Sequence, residues 1–312
     1  MPKIKKEKPF KLTLASYFDP KRPHMSVSQI NDYIKSPEYF YKKHVAKSIP
    51  RKPPTSPMKV GSYVDACLTN PKVAKRYQQK FERTCYAKDD RETYDEETLI
   101  IDAQKALGEE YVLSETEWLK GTQLVEFIKS QPFWQDGLQK AVMQQPMEMT
   151  INQPSRHPFE FLLCGLPDRM DWVGLGTEDA YLHIIDLKMS SFIKTSTPAK
   201  WFYNAREMGY IRQFAMYRML ACNTFGITRE RIRFSHAVGI WHEDGLVDTQ
   251  LYTFPIREVD KAEEEILDAL QQIGMKNFGR KRLSWDDSTD LSQIGGVIEA
   301  MAEDDEEEGE EV

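Results

Sequence analysis

The chain has 312 residues, of which 40% are hydrophobic and 29% charged. That is the balance of a folded chain with sequence for one or two domains, and it excludes a disordered or membrane-embedded one. The longest apolar stretch, Phe161 to Leu166, falls far short of the ~20 residues that cross a bilayer. The lysine-rich start lacks the apolar centre of a signal peptide. Cys67, Cys85, Cys164 and Cys222 form no CxxC pair, which argues against a disulfide framework or zinc knuckle and for a reduced, cytoplasmic setting.

A net charge of −7 discourages a nucleic-acid partner until its distribution is followed. The last ten residues carry eight carboxylates, so the first 302 carry +1. Lys3, Lys5, Lys6, Lys8 and Lys11 crowd the opposite end. The chain reads as a nearly neutral body between a basic arm, 1–24, and an acidic tail, 286–312.

The arm contains Pro2, Pro9, Pro20 and Pro23 without sustained periodicity, so it is either flexible or ordered only against the body. Ser26 and Gln29 have the form of a capping box, and Ile30, Tyr33 and Ile34 follow at helical spacing. Ser36-Pro37 opens a second short helix with proline at its first position. After a proline-rich loop at 53–57, a helix is expected over Gly61–Leu68, ended by Asn70-Pro71. Residues 95–143 read as interrupted helix, with Trp118, Leu119, Leu124, Phe127 and Ile128 following Ser114.

From Glu148 the pattern changes. Glu148–Ile151, Phe159–Val173 and Tyr181–Met189 are short apolar or alternating runs bounded by Gly, Pro and Asn, as strands are. A long helix over 198–222, strands at 233–241 and 246–254, and a helix over 259–273 complete the chain. No internal repeat is found. The fold class is α/β: a helical part over about 25–145, then a central mixed sheet flanked by helices over about 146–285, in one domain.

The chemistry concentrates in Tyr181–Met189. Side chains alternate along a strand, so Leu182, Ile184, Asp186 and Lys188 share one face. Taken alone, Asp186 and Lys188 are equally a surface ion pair at a strand end, worth little. Upstream, the strand through Cys164 ends at Pro167-Asp168, which is also an ordinary turn sequence. If the two strands are neighbours, Asp168 approaches Asp186, and two carboxylates at ~4 Å repel by roughly 4 kcal/mol at an effective dielectric near 20. A fold accepts that cost where a proton, a lysine or a divalent cation is shared. Hard oxygens beside a lysine favour Mg²⁺ or Mn²⁺ over zinc.

Pro167-Asp168, seventeen further residues and Asp186-Leu187-Lys188 resemble the signature of the PD-(D/E)xK nuclease superfamily. Gln213 and Tyr217, four apart on the following helix, resemble the Gln-x-x-x-Tyr element of its RecB-like branch. The run from His24 to Phe40 resembles the opening helices of phage and prophage RecE-type exonucleases (exonuclease VIII). Gly61-Ser-Tyr-Val-Asp65 resembles their Gly-x-x-x-His helix, with aspartate where the family has histidine. Glu148 matches the acidic residue that relatives contribute ahead of the motif. The resemblance covers about residues 24–225 and implies a restriction-endonuclease-like core.

The resemblance also implies a site. Glu148, Asp168 and Asp186, with the Leu187 carbonyl and Asp65, would hold one or two Mg²⁺ ions, with Mn²⁺ as a substitute. Lys188 would orient the attacking water or stabilise charge on phosphate, and Gln213 and Tyr217 would position Lys188 or the DNA backbone. Arg206, Tyr210 and Arg212, the arginines at 229, 231 and 233, and the basic segment Arg280-Lys281-Arg282 are candidate DNA contacts. The absence of cysteine after Cys222 excludes the iron–sulfur variant of the branch.

The function implied is a Mg²⁺-dependent exonuclease acting on linear duplex DNA in phage-type recombination. DNA is the partner, a single-strand annealing protein and other copies of the chain are further ones, and no membrane is expected. The alternatives are a non-catalytic DNA-binding or assembly factor, which the Asp65 departure favours, and a structure-specific endonuclease.

Overall fold

A computed structural model of the chain describes residues 12–19, 22–50, 52–82, 111–136, 141–153, 159–191, 197–242 and 244–276. The acidic tail and Arg280-Lys281-Arg282 lie outside these.

Order begins earlier than Ser26. Leu12 is buried, and Thr13 caps a single helical turn, α1 (Leu14–Tyr17), through a reciprocal box with Ser16. Met25 then forms a β-bridge with Leu163, exchanging backbone hydrogen bonds with its neighbours. The Ser26–Gln29 box starts α2 (Val27–Lys35), and Ser36-Pro37 starts α3 (Pro37–Phe40). One π-helical turn follows, Tyr41–Val45.

The next helix, α4 (Ser56–Thr69), begins five residues before the expected Gly61, because Ser56-Pro57 supplies a first turn. Asn70 caps it, as expected of Asn70-Pro71, and Pro71 has a second part. It opens α5 (Pro71–Glu82), since proline is as suited to a helix start as to a stop. Ser114 and Glu117 box the start of α6 (Glu115–Ser130), which a short α7 (Pro132–Gln135) follows. Residues 142–143, read as helical, are instead a strand.

That strand is β1 (Val142–Met143), followed by β2 (Met147–Gln153), β3 (Phe159–Gly165), β4 (Arg169–Val173) and β5 (Tyr181–Ser191). The helix expected over 198–222 is two, α8 (Pro198–Glu207) and α9 (Tyr210–Phe225), broken at Gly209. Gly209 has φ 76°, and a Cβ there would lie 2.3 Å from the Asn31 side chain, so both backbone and space call for glycine. β6 (Ile232–Trp241), β7 (Val247–Tyr252) and α10 (Ile256–Lys276) complete the described chain.

Five strands form a mixed sheet in the order β1-β4-β5-β6-β7, and β2 and β3 form an antiparallel ribbon beside it. Among the described strands of this sheet, β5 and β6 are the pair that runs parallel, with α8 and α9 in their crossover. The central strand β5 is buried on both sides. Leu182 and Ile184 join a core with Phe214 and Leu220 of α9 and Ile266 of α10. Ile185 and Leu187 join a second core with Val60 and Val64 of α4 and Leu124 and Ile128 of α6. This is the helix–sheet–helix arrangement expected of an α/β chain.

Candidate active site

The site lies where β4 and β5 part. Their antiparallel register ends at Arg169↔Ile185, and beyond it β5 pairs with β6 alone, through Ser191↔Trp241. The Leu187 N–H, facing the side β4 has left, is taken by the Asp168 carboxylate at 2.7 Å. A side chain thus completes a ladder that the backbone at Pro167 does not continue. Arg169 anchors the departing strand. Its fully buried guanidinium pairs with Asp171 and donates to the Trp134 and Asp136 carbonyls.

Asp186 and Lys188 follow on the same face of β5. Asp186 is 1% exposed, and its Oδ2 contacts Lys188 Nζ. Its Oδ1 accepts from Gln213 Nε2 at 3.1 Å and lies 3.4 Å from the Tyr217 hydroxyl. That hydroxyl accepts from Gln213 at 2.8 Å and donates to the Leu166 carbonyl at 2.9 Å. Gln213 and Tyr217 therefore hold the Asp186 carboxylate and the turn before Asp168, and contact the expected Lys188 only through Asp186. The reason is reach: one turn of α9 places both over the strand at Asp186, while Lys188 extends past them to 4.8 Å from the Tyr210 ring centroid.

Asp65 arrives from α4, on the other side of the sheet. Its Oδ1 accepts from Thr69 Oγ1 at 3.0 Å and its Oδ2 from Gln144 Nε2 at 3.3 Å. Three carboxyls and one ammonium thus share a small volume, and their charges act on one another. Burial first, then Asp186 and Asp65, push the Asp168 carboxyl well above the usual carboxylate range, against Lys188 and the Leu187 N–H. Asp65 is pushed up to about 6, by burial and then by Asp186. Burial opposes the charge on Lys188, but Asp186 and Asp168 outweigh it and raise its pKa, so the side chain stays an ammonium.

The donor set fits a hard divalent cation: Asp168, Asp186, Asp65 and the Leu187 carbonyl offer oxygen only, and the raised carboxyl pKa values mark negative charge that a cation would offset. Among the described residues, no group of three or more His, Cys, Asp or Glu side chains stands ready to hold such a cation and offset that charge. Lys188 Nζ occupies that electrostatic role, 3.3 Å from the Leu187 carbonyl oxygen.

Glu148 stands on β2, opposite Cys164 in the ribbon. Its carboxylate binds His24 Nε2 at 3.0 Å, while Asp65 is a carboxylate from outside the motif that acts on Asp168. His24 is 2% exposed, and burial, partly offset by Glu148, lowers its pKa. Above the site, Tyr17 of α1 carries the Arg22 guanidinium 4.5 Å from its ring centroid. Burial, then Cys164 and the carboxylates of Asp168 and Asp186, raise the pKa of Tyr17.

Behind Asp186 on β6 is His236, fully buried, with Nε2 3.9 Å from Asp186 Oδ2. It stacks on Phe214 at 4.2 Å and meets Trp201, Tyr210 and Phe254 edge to face. Burial, then Lys188, hold its pKa well below the ordinary histidine value. His236, Tyr17 and Gln144 carry no sequence signal of a role. His24 heads the opening motif, but its pairing with Glu148 spans 124 residues.

A cleft of about 640 Å³ opens from Asp65 and Lys188 and is walled by Met58, Met189, Met208, Trp201, Tyr210 and Trp241. Tyr210, one of the expected DNA contacts, is thus part of its wall. Arg206 is exposed and lines a separate small groove with Lys261, Glu258 and Glu265. Arg212 pairs with Glu265 at 2.8 Å and donates to Asn31, tying α9 to α10 and α2. Arg229 pairs with Glu263, and Arg231 and Arg233 donate to the Glu178 and Glu230 carbonyls.

No curated protein matches the chain in sequence. Among solved structures it is similar to the crystal structure of a candidate exonuclease from Eubacterium rectale. The TM-score is 0.57 at 15% identity, covering 88% of this chain and 90% of that one. At that identity the likeness speaks for the fold. The strand-end carboxylates, the lysine two residues on and the helix that clamps them occupy the span matched by the family model for the PD-(D/E)XK nuclease superfamily, residues 24–283, and the chain belongs to that superfamily.

Proposed function

We propose that the chain is a Mg²⁺-dependent DNA exonuclease that hydrolyses phosphodiester bonds of linear double-stranded DNA, in phage-type recombination or related DNA processing. The observation that carries the reading is the mutual electrostatic grouping of Asp168, Asp186, Asp65 and Lys188, of which Asp65 and Lys188 line an open cleft. The exonuclease specificity draws support from the likeness of His24–Phe40 to RecE-type exonucleases.

A bound divalent ion lowers the pKa of a coordinated water and neutralises charge on the phosphate. Asp168, Asp186 and Asp65 would hold it with the Leu187 carbonyl. Lys188, kept protonated by its carboxylate neighbours, is suited to orient the water or meet negative charge on phosphate, and unsuited to act as a base. Gln213 and Tyr217 keep Asp186 in place. The scissile strand would enter the cleft with its bases against Tyr210 and Trp241, where stacking is indifferent to sequence.

Linear and covalently closed circular duplexes, each with Mg²⁺ and with chelator, test the reading. We expect loss of linear DNA only, dependent on Mg²⁺ and abolished in Asp186→Ala. Cutting of circles would replace it with an endonuclease. Inactivity with both Mg²⁺ and Mn²⁺ would sink both.

A further inference from the structure

Gln144 stands just past the end of β1, with no place in the PD-(D/E)xK signature, and has a left-handed backbone, φ 46°. That region favours glycine, and a long side chain there calls for a reason. The reason is in its contacts. Its backbone N–H donates to the Asp168 carbonyl at 3.1 Å, and its side-chain Nε2 donates to Asp65 Oδ2 at 3.3 Å. Its Oε1 accepts from Asn70 Nδ2 at 3.3 Å.

The direction of these bonds is set from outside. Asn70 caps α4, and its Oδ1 accepts from the Val73 N–H at 3.4 Å, which leaves its amide nitrogen to face Gln144. The Gln144 carbonyl must then turn to Asn70 and its amide nitrogen to Asp65, a carboxylate that can only accept when ionised. One residue thus joins the helix that carries Asp65 to the turn that carries Asp168, across the two sides of the sheet.

We propose that Gln144 is a positioning residue of the nuclease site, setting the separation and rotation of Asp65 and Asp168 so that both carboxylates serve one divalent cation. The left-handed backbone is what lets one side chain and its own N–H reach both aspartates. The proposal rests on the nuclease reading of the site, and it assigns Asp65 to that site through a bond no sequence motif predicts.

The test is the uptake of Mn²⁺ alone, followed by electron paramagnetic resonance without DNA, in wild type, Asp168→Ala, Gln144→Ala and Gln144→Gly. Thermal melting is measured beside it. A partner that orients a ligand is worth roughly 10–100-fold in metal affinity. We expect Gln144→Ala and Gln144→Gly to weaken Mn²⁺ binding about tenfold and to raise the Mn²⁺ concentration for half-maximal cleavage by a similar factor. Gln144→Gly, relieved of the left-handed strain, should melt no lower than wild type. Wild-type Mn²⁺ affinity in Gln144→Gly, or a Gln144→Gly protein that melts far below wild type, would overturn the proposal alone. A wild-type protein that takes up no Mn²⁺ would overturn the nuclease reading together with it.

Discussion

At Asp65, burial strips water from the carboxyl and Asp186 adds a like charge, and together they overcome Thr69 and Lys188 to raise the pKa to about 6. An unfolded aspartate titrates near ~3.9. Between about pH 4 and 6 the folded, metal-free protein therefore binds more protons than the unfolded one, and this group withdraws stability as pH rises. His24 and His236, whose pKa values are lowered, act the opposite way up to about pH 6.5, so the informative quantity is a difference between proteins. Urea unfolding in chelator at pH 4.5 and pH 7 should show Asp65→Asn gaining stability relative to wild type at the higher pH. Mg²⁺ at pH 7 should then raise the melting temperature of wild type more than that of Asp65→Asn. Parallel curves for the two proteins would mean that Asp65 does not share the charge of the cluster.

Two contacts between elements hold these residues in register. Gly165, at the end of β3, lies against α9, and a Cβ there would fall 2.7 Å from Leu220 Cδ1 and 2.9 Å from the Tyr217 ring. Gly165→Ala must displace Tyr217, and with it the clamp on Asp186. We expect a cost of about 1–3 kcal/mol in urea unfolding, together with a fall in cleavage rate larger than that of a comparable change remote from α9. On its far side α9 is fastened to α10 through Arg218, 1% exposed, which meets Glu263 at 2.8 Å and Asp260 at 2.7 Å. Glu263→Ala leaves a buried guanidinium with one half-exposed partner. Denaturant unfolding should register a loss of about 3 kcal/mol, the low end for breaking a buried pair, because Asp260 remains. A loss under about 1 kcal/mol would show the guanidinium finding water instead.

Over the whole molecule, charge is distributed unevenly, and eight carboxylates stand in the last ten residues. Ending the chain at Ala302 turns the net charge from −7 to +1. Duplex binding, followed by fluorescence anisotropy in Ca²⁺, should tighten in the shortened protein at low salt, and the difference should shrink as salt screens it. Equal affinities at low salt would show that the tail exerts no electrostatic influence on DNA.

Much of this architecture was legible in residue order, for a physical reason. The capping box at Ser26, the helical spacing after Ser114 and the alternation along Tyr181–Met189 are local, and local chemistry decides helix starts and strand faces. Asn70-Pro71 ended the helix as read, while the second part of Pro71, as a helix start, stayed hidden because proline suits both positions. Gly209 hid a break because its requirement, a left-handed backbone against Asn31, involves a residue 178 positions earlier in the chain. The partners of Arg212, Glu265 and Asn31, were hidden because they are distant in sequence. Residue order alone settled the α/β class, the strand that carries Asp186 and Lys188, and the helix that carries Gln213 and Tyr217. Folding decided which carboxylates meet. The end of β4–β5 pairing brings Asp168 to Leu187, packing on the opposite side of the sheet brings in Asp65 through Gln144, and His24 engages Glu148, because electrostatic and hydrogen-bond partners are chosen by proximity in space rather than by distance along the chain.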